Sequence, residues 1–364
     1  MSDSNPLKAN HFLFFALFAL AVFLCGAILF FSPHMFSSAD KIPTDKVGME
    51  TFIQNTYGPN DLILIDESTI KQFLTVLTHQ ELLDTLDAVD PLMCHEPAHA
   101  IGKFAFQDAG DVPGSLALCS EVCMSGCIHG ALLEAVAGDT QSGHTHVALE
   151  DFEQDIQDIC TTKELKSDLE GTCIHGVGHA LMSLSNGVTA GLEKCEAYTD
   201  EEKKYYCQTG AYMEVLGNRT TPMDAEDLLY PCEESTGYAS ACMRYQTTII
   251  ANAIDTDIQD YCNSLASEKM QVACFHGLGR LKAADIADEP DLIRLCESQN
   301  ASATKTCVES AAEILHETQA EKLPAICTAL SENETLYQTC THAAATGLYS
   351  FDKDFTPYLS TYQE

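Results

Sequence analysis

From Ser68 onward the apolar positions fall at helical steps. Ile70, Phe73, Leu74 and Leu77, then Leu82, Leu83 and Leu86, recur every three or four residues, the period of a helix with one buried face. Asp90-Pro91 reads as an N-cap followed by a first-turn proline. Upstream the pattern differs. Residues 12–31 carry no charge and are almost wholly apolar. A run of ~20 such residues can span a bilayer as a helix, and it exceeds the ~7–15 apolar residues of a cleaved signal. Lys8 precedes it, and Lys41 and Lys46 are the nearest basic residues after it, which orients the N-terminus toward the cytoplasm. The expectation is a single-pass signal-anchor. Residues 1–11 are then cytoplasmic, 12–31 transmembrane, 32–60 a juxtamembrane stalk, 61–350 an ectodomain outside the cytoplasm and 351–364 a polar tail. Cleavage after Ser37-Ser38-Ala39 is the alternative.

Beyond residue 90 a repeat takes over. Cys94, Cys127, Cys173, Cys207, Cys242, Cys274, Cys307 and Cys340 are separated by 33, 46, 34, 35, 32, 33 and 33 residues. A period near ~34 is that of one helix–turn–helix unit in an α-solenoid. A partner cysteine precedes each from the second unit on: Cys119, Cys160, Cys195, Cys232, Cys262, Cys296 and Cys327. Ser167-x-x-Glu170, Thr199-x-x-Glu202 and Ser331-x-x-Glu334 read as capping boxes. They place the second cysteine of their units one to two turns inside a helix. The first cysteine then ends the preceding helix, and a bridge staples the two. The pairs expected are Cys160–Cys173, Cys195–Cys207, Cys232–Cys242, Cys262–Cys274, Cys296–Cys307 and Cys327–Cys340. By the same rule Cys119 joins Cys127, which leaves Cys94 for Cys123. Three residues after the second cysteine stand Gly130, Gly176, Gly210 and Gly277. Glycine recurring inside helices points to close helix–helix contact. The predicted fold is all-α: an α-solenoid, or a curved α/α toroid, of about eight helical hairpins.

Composition narrows the class. The chain has 54 Asp+Glu against 19 Lys+Arg, a net charge of −35. That field repels phosphate backbones and argues against a nucleic-acid partner. Of 17 cysteines, only Cys25 lies in the apolar run, and an even, regularly spaced remainder reads as disulfides formed outside the cytoplasm. The sequons Asn218-Arg219-Thr220, Asn300-Ala301-Ser302 and Asn333-Glu334-Thr335 fit a glycoprotein in that location.

Seven of the 13 histidines lie between residues 95 and 179. His95 and His99, and His175 and His179, are i, i+4 pairs that a helix places on one face. With His129 from the unit between them, they form the candidate metal set. Their repeat positions alone admit a simpler reading, in which each bonds a neighbouring carbonyl. His144 and His146 fall in the extra residues of the 46-residue step, a loop expected on one face of the array. His95-Glu96-Pro97-Ala98-His99 resembles the H-E-x-x-H pattern of zinc metalloproteases over five residues. Pro97 within it predicts a helix that kinks or restarts, which counts against that resemblance. Glu134 and Glu214 each stand seven residues after a second cysteine, in apolar surroundings. The implied cofactor is a divalent transition metal, with zinc suiting histidine plus carboxylate and copper or iron as alternatives. For an enzyme, Glu134 or Glu96 is the candidate base toward a metal-bound water. The competing reading is a scaffold whose concave face takes another extracellular protein.

Overall fold

The structure is a computed structural model that describes residues 42–137, 156–161, 165, 169–217, 219–224, 226–232 and 238–347. The expected anchor at 12–31, the loop with His144 and His146, the residues Ser167 and Asn218, and the tail at 351–364 lie outside the described residues. The chain divides into two compact units, Met1–Thr44 and Asp45–Glu364, and the architecture below is that of the second. Among the described residues the regular structure is helical throughout, without a strand. No described helix is long and apolar enough to cross a membrane.

Three helices open the unit: α1 (Lys46–Thr56), α2 (Glu67–Phe73) and α3 (His79–Asp87). Each starts at a residue whose side chain reaches back to a free N–H of the first turn: Asp45, Asp66 and Thr78. Thr78 and Glu81 form a full capping box. Helix α1 occupies part of the stretch expected to be a stalk. Its i, i+4 pair Met49 and Ile53 is fully buried, so residues 46–56 belong to the packed body.

The longer helices follow: α4 (His95–Ala109), α6 (Gly126–Ala137), α7 (Glu170–Ser183), α9 (Glu201–Leu216), α10 (Ala239–Ala253), α12 (Glu268–Lys282), α14 (Ala301–Gln319) and α16 (Glu334–Thr346). Each packs on the next in chain order. Between them lie shorter helices of five to eight residues: α5 (Val112–Leu116), α8 (Val188–Cys195), α11 (Ile258–Ser264), α13 (Glu289–Leu295) and α15 (Leu323–Ala329). In these five intervals a short helix separates two long ones.

Local detail corrects the expected helix starts. Helix α9 is capped by Asp200, whose carboxylate accepts from Glu202 N and Lys203 N, and not by Thr199. Helix α16 is capped by Asn333, and not by Ser331. Pro97 does not kink α4, because it is the third residue of that helix. N–H groups in a helix's first turn have no intrahelical partner to lose. His95, Glu96 and His99 thus share one regular helix. Asp90 caps the turn that leads into it, accepting from Leu92 N and Met93 N at 2.9 Å.

Eight disulfides join Cys94–Cys123, Cys119–Cys127, Cys160–Cys173, Cys195–Cys207, Cys232–Cys242, Cys262–Cys274, Cys296–Cys307 and Cys327–Cys340. Seven close loops of 8 to 13 residues, each worth ~2.5–3 kcal/mol by loop entropy. They tie each later long helix to the short segment before it.

Glycine decides how closely the long helices approach. A Cβ on Gly130 of α6 would lie 2.0 Å from the His99 carbonyl of α4, and one on Gly102 of α4 would lie 1.9 Å from the Cys127 carbonyl of α6. Helices α7 and α9 repeat this reciprocal contact. There a Cβ on Gly178 would lie 1.9 Å from the Cys207 carbonyl and one on Gly210 would lie 1.8 Å from that of His175. Any side chain at these four positions would force the backbones apart.

Candidate metal centre

Helices α4, α6 and α7 lie side by side, and each carries histidine on the face it turns to the others. His95 and His99 come from α4, His129 from α6, and His175 and His179 from α7. The His129 ring is central. Its centroid lies 5.2 Å from His95, 5.7 Å from His99, 4.8 Å from His175 and 5.2 Å from His179. His129, His175 and His179 are buried, at 2, 0 and 4 % exposure, and His95 and His99 are half-buried.

Three of the five rings are oriented by groups behind them. His95 Nδ1–H donates to the Cys123 carbonyl at 3.1 Å. His175 Nδ1–H donates to Thr209 Oγ1 at 2.7 Å, because the Thr209 hydroxyl already donates to the Tyr206 carbonyl at 2.6 Å. His179 Nδ1–H donates to the Glu214 carboxylate at 3.0 Å. A proton fixed on Nδ1 leaves Nε2 with its lone pair, and this is how a metal-ligating imidazole is usually held. The three Nε2 atoms thereby keep the lone pair that a metal ion would need. His95 Nε2 stands 3.2 Å from His99 Nε2, close to the ~3.4 Å separation of two nitrogens on one tetrahedral zinc at ~2.1 Å.

The support behind His95 is itself constrained. Cys123, Met124 and Ser125 all have left-handed backbone, with φ of 54, 49 and 58°. For non-glycine residues this costs of order 1 kcal/mol or more each. Bridges Cys94–Cys123 and Cys119–Cys127 flank the turn, and Cys123 N–H donates to the Asp87 carboxylate at 2.9 Å. These ties hold the Cys123 carbonyl toward His95.

Burial keeps four of the five imidazoles, those of His95, His99, His129 and His175, neutral. It pushes the His95 imidazole down to about 4, against the carbonyl bond that raises it. Burial first, then the neighbouring imidazoles, holds His99 and His129 well below the usual histidine value. His175 is lowered by burial, by His179 and by the Arg244 guanidinium. Neutral imidazoles are the form a metal needs. Among the described residues, both ring nitrogens of His129 and the Nε2 of His179 are buried without a hydrogen-bond partner. Buried polar atoms left unpaired cost ~1–3 kcal/mol each.

Candidate ligand atoms lying within 4.8 Å of one another form two groups: His95, His99 and His129, and His129, His175 and His179. The sequence reading treated the five as one set, and the structure divides them at His129. Glu134 of α6 is buried and accepts from Gln107 Nε2 of α4 at 2.9 Å. Glu96 is exposed on α4. Glu214 supports His179, and the Arg244 guanidinium has the Glu313 carboxylate at 3.8 Å. His276 joins neither group; it is buried on α12 with its Nε2 3.4 Å from Tyr205 Oη. The third set of potential donors, Asp87, Cys94 and Cys123, contains a disulfide.

The sequence reading missed the Cys123 carbonyl and Thr209. Thr209 was traceable, because it stands two residues after Cys207, the place His129 and His175 take in their own units. The carbonyl was not, since a left-handed turn of non-glycine residues leaves no mark in residue types. Comparison of the chain with protein-family models, with curated proteins and with solved structures finds no match.

Proposed function

We propose that this chain is a membrane-anchored, extracytoplasmic helical-repeat protein that binds a divalent transition metal, zinc foremost, through His95, His99, His129, His175 and His179. One observation carries the metal reading. Among the described residues, His129 is buried with two unpartnered ring nitrogens and has four imidazole neighbours. A cation satisfies nitrogens that the protein leaves unsatisfied. The orienting bonds on His95, His175 and His179 support the same reading.

The anchor rests on the uncharged run at 12–31, and the extracytoplasmic location on the disulfides together with the sequons. The solenoid reading rests on the cysteine period and on long helices that pack in chain order. The proposal assigns binding and no reaction. Glu96 is exposed and Glu134 is engaged by Gln107.

Elemental analysis of the purified full-length protein tests the metal reading, with His129→Ala and, as control, His276→Ala. We expect stoichiometric metal in the wild type and in His276→Ala, and its loss in His129→Ala with helicity retained. Metal-free wild-type protein that takes up no zinc, copper or iron on titration would overturn it, as would a His129→Ala variant that binds like the wild type.

A further inference from the structure

The way the five histidines divide around His129 carries the metal reading further. Helix α6 runs between α4 and α7 and contributes one imidazole to the space between them. Each neighbour contributes an i, i+4 pair: His95 and His99 on one side, His175 and His179 on the other. The donors close into two three-nitrogen groups that share only His129. A single ion at ~2.0–2.1 Å from each ligand needs all its nitrogens within about 4.2 Å of one another. Each group meets that demand after a small contraction. The His99 and His179 rings, on opposite sides, are 6.0 Å apart at their centroids. His129 has two nitrogens, and both are buried and unpartnered. A histidine that serves one ion usually donates its other N–H to a carbonyl or carboxylate, as His95, His175 and His179 do. His129 has no such acceptor among the described residues.

We infer that the centre is dinuclear: His129 bridges two divalent ions, one held with His95 and His99 and the other with His175 and His179. This rests on the metal reading above. Each nitrogen of His129 forms one metal–nitrogen bond. As the second ion binds, the ring's N–H bond breaks and its proton leaves to solvent, so the bridge is an imidazolate. Two bonds of ~2.0 Å on opposite corners of the ring place the ions ~6 Å apart. All-imidazole sets suit copper and zinc. The remaining coordination positions would take water.

The test titrates metal-free full-length protein with copper(II) alone and counts bound ions by elemental analysis and unpaired spins by paramagnetic resonance. The expected result is two equivalents bound with most of the spin signal lost, because an imidazolate couples the two ions. His95→Ala/His99→Ala and His175→Ala/His179→Ala should each keep one equivalent with its full signal. Because these double variants retain the opposite group, they also show that the fold survives. One equivalent in the wild type overturns the dinuclear inference and leaves the metal reading standing. Two equivalents with undiminished spin overturn the bridge. No bound copper overturns the dinuclear inference, and no uptake of zinc or iron either overturns the metal reading with it.

Discussion

Replacing Gly130 by alanine tests how the centre is assembled. The new methyl would lie 2.0 Å from the His99 carbonyl oxygen. Carbon and carbonyl oxygen rest at ~3.3 Å or more, so α4 and α6 must part by roughly 1.3 Å. Little local relief is available, because the same two helices are also in backbone contact at Gly102, where an added Cβ would lie 1.9 Å from the Cys127 carbonyl. Such overpacking costs ~1–3 kcal/mol, against up to ~1 kcal/mol gained from alanine's higher helix propensity. The net loss of about 1–2 kcal/mol corresponds to a melting temperature lower by ~2–8 °C. The displacement also carries His129, next in sequence to Gly130, away from His95 and His99. Metal sites tolerate only ~0.2 Å in ligand distance, so zinc affinity should fall more than ~10-fold. Thermal unfolding in chelator and zinc competition titration measure the two effects. Gly176→Ala is the comparison for melting temperature alone, since its methyl meets the end of the Leu132 side chain at 2.8 Å, which can move, but also the His129 ring at 3.2 Å. An unchanged or raised melting temperature in Gly130→Ala, with unchanged zinc affinity, refutes the argument that glycine contact sets the spacing of the centre.

Three other outcomes follow. Glu214→Gln keeps the shape of the group behind His179 but weakens its hold on Nδ1–H, and zinc affinity should drop ~10–100-fold without loss of the fold; equal affinity would mean that Glu214 does not orient that ring. Stability of the metal-free protein should fall as pH drops below about 6.5, because His95, His99, His129 and His175 stay neutral when folded and take protons when unfolded; each contributes up to about 1.4 kcal/mol per pH unit, and chemical denaturation between pH 7 and 5 reads the slope. Glu309, buried and beside Glu313, is held well above the usual carboxylate range; it favours folding while protonated and loses that contribution as pH rises above about 4.5, so Glu309→Gln should gain melting temperature over the wild type at pH 8 but not at pH 4.

The sequence by itself determined the helical class, the spacing of the long helices and which cysteines lie close in the chain. These are local properties. Periodicity and capping groups act over a turn or two, and a bridge across 8 to 13 residues links segments already adjacent along the backbone. Local signals also misled where a better capping group lay one or two residues on, as at Asp200 and Asn333. The Met49 and Ile53 pair shows how a short amphipathic stretch near an apolar run can pass for a stalk. The sequence named the five histidines by their place after recurring cysteines. Only the tertiary structure decided that they meet, that they divide at His129, and that Thr209, Glu214 and the Cys123 carbonyl fix their tautomers. The reason is distance: whether imidazoles on three helices share a space depends on backbone separations of an ångström or so. Those separations are set by carbonyls resting on Gly102, Gly130, Gly178 and Gly210, contacts between residues far apart along the chain.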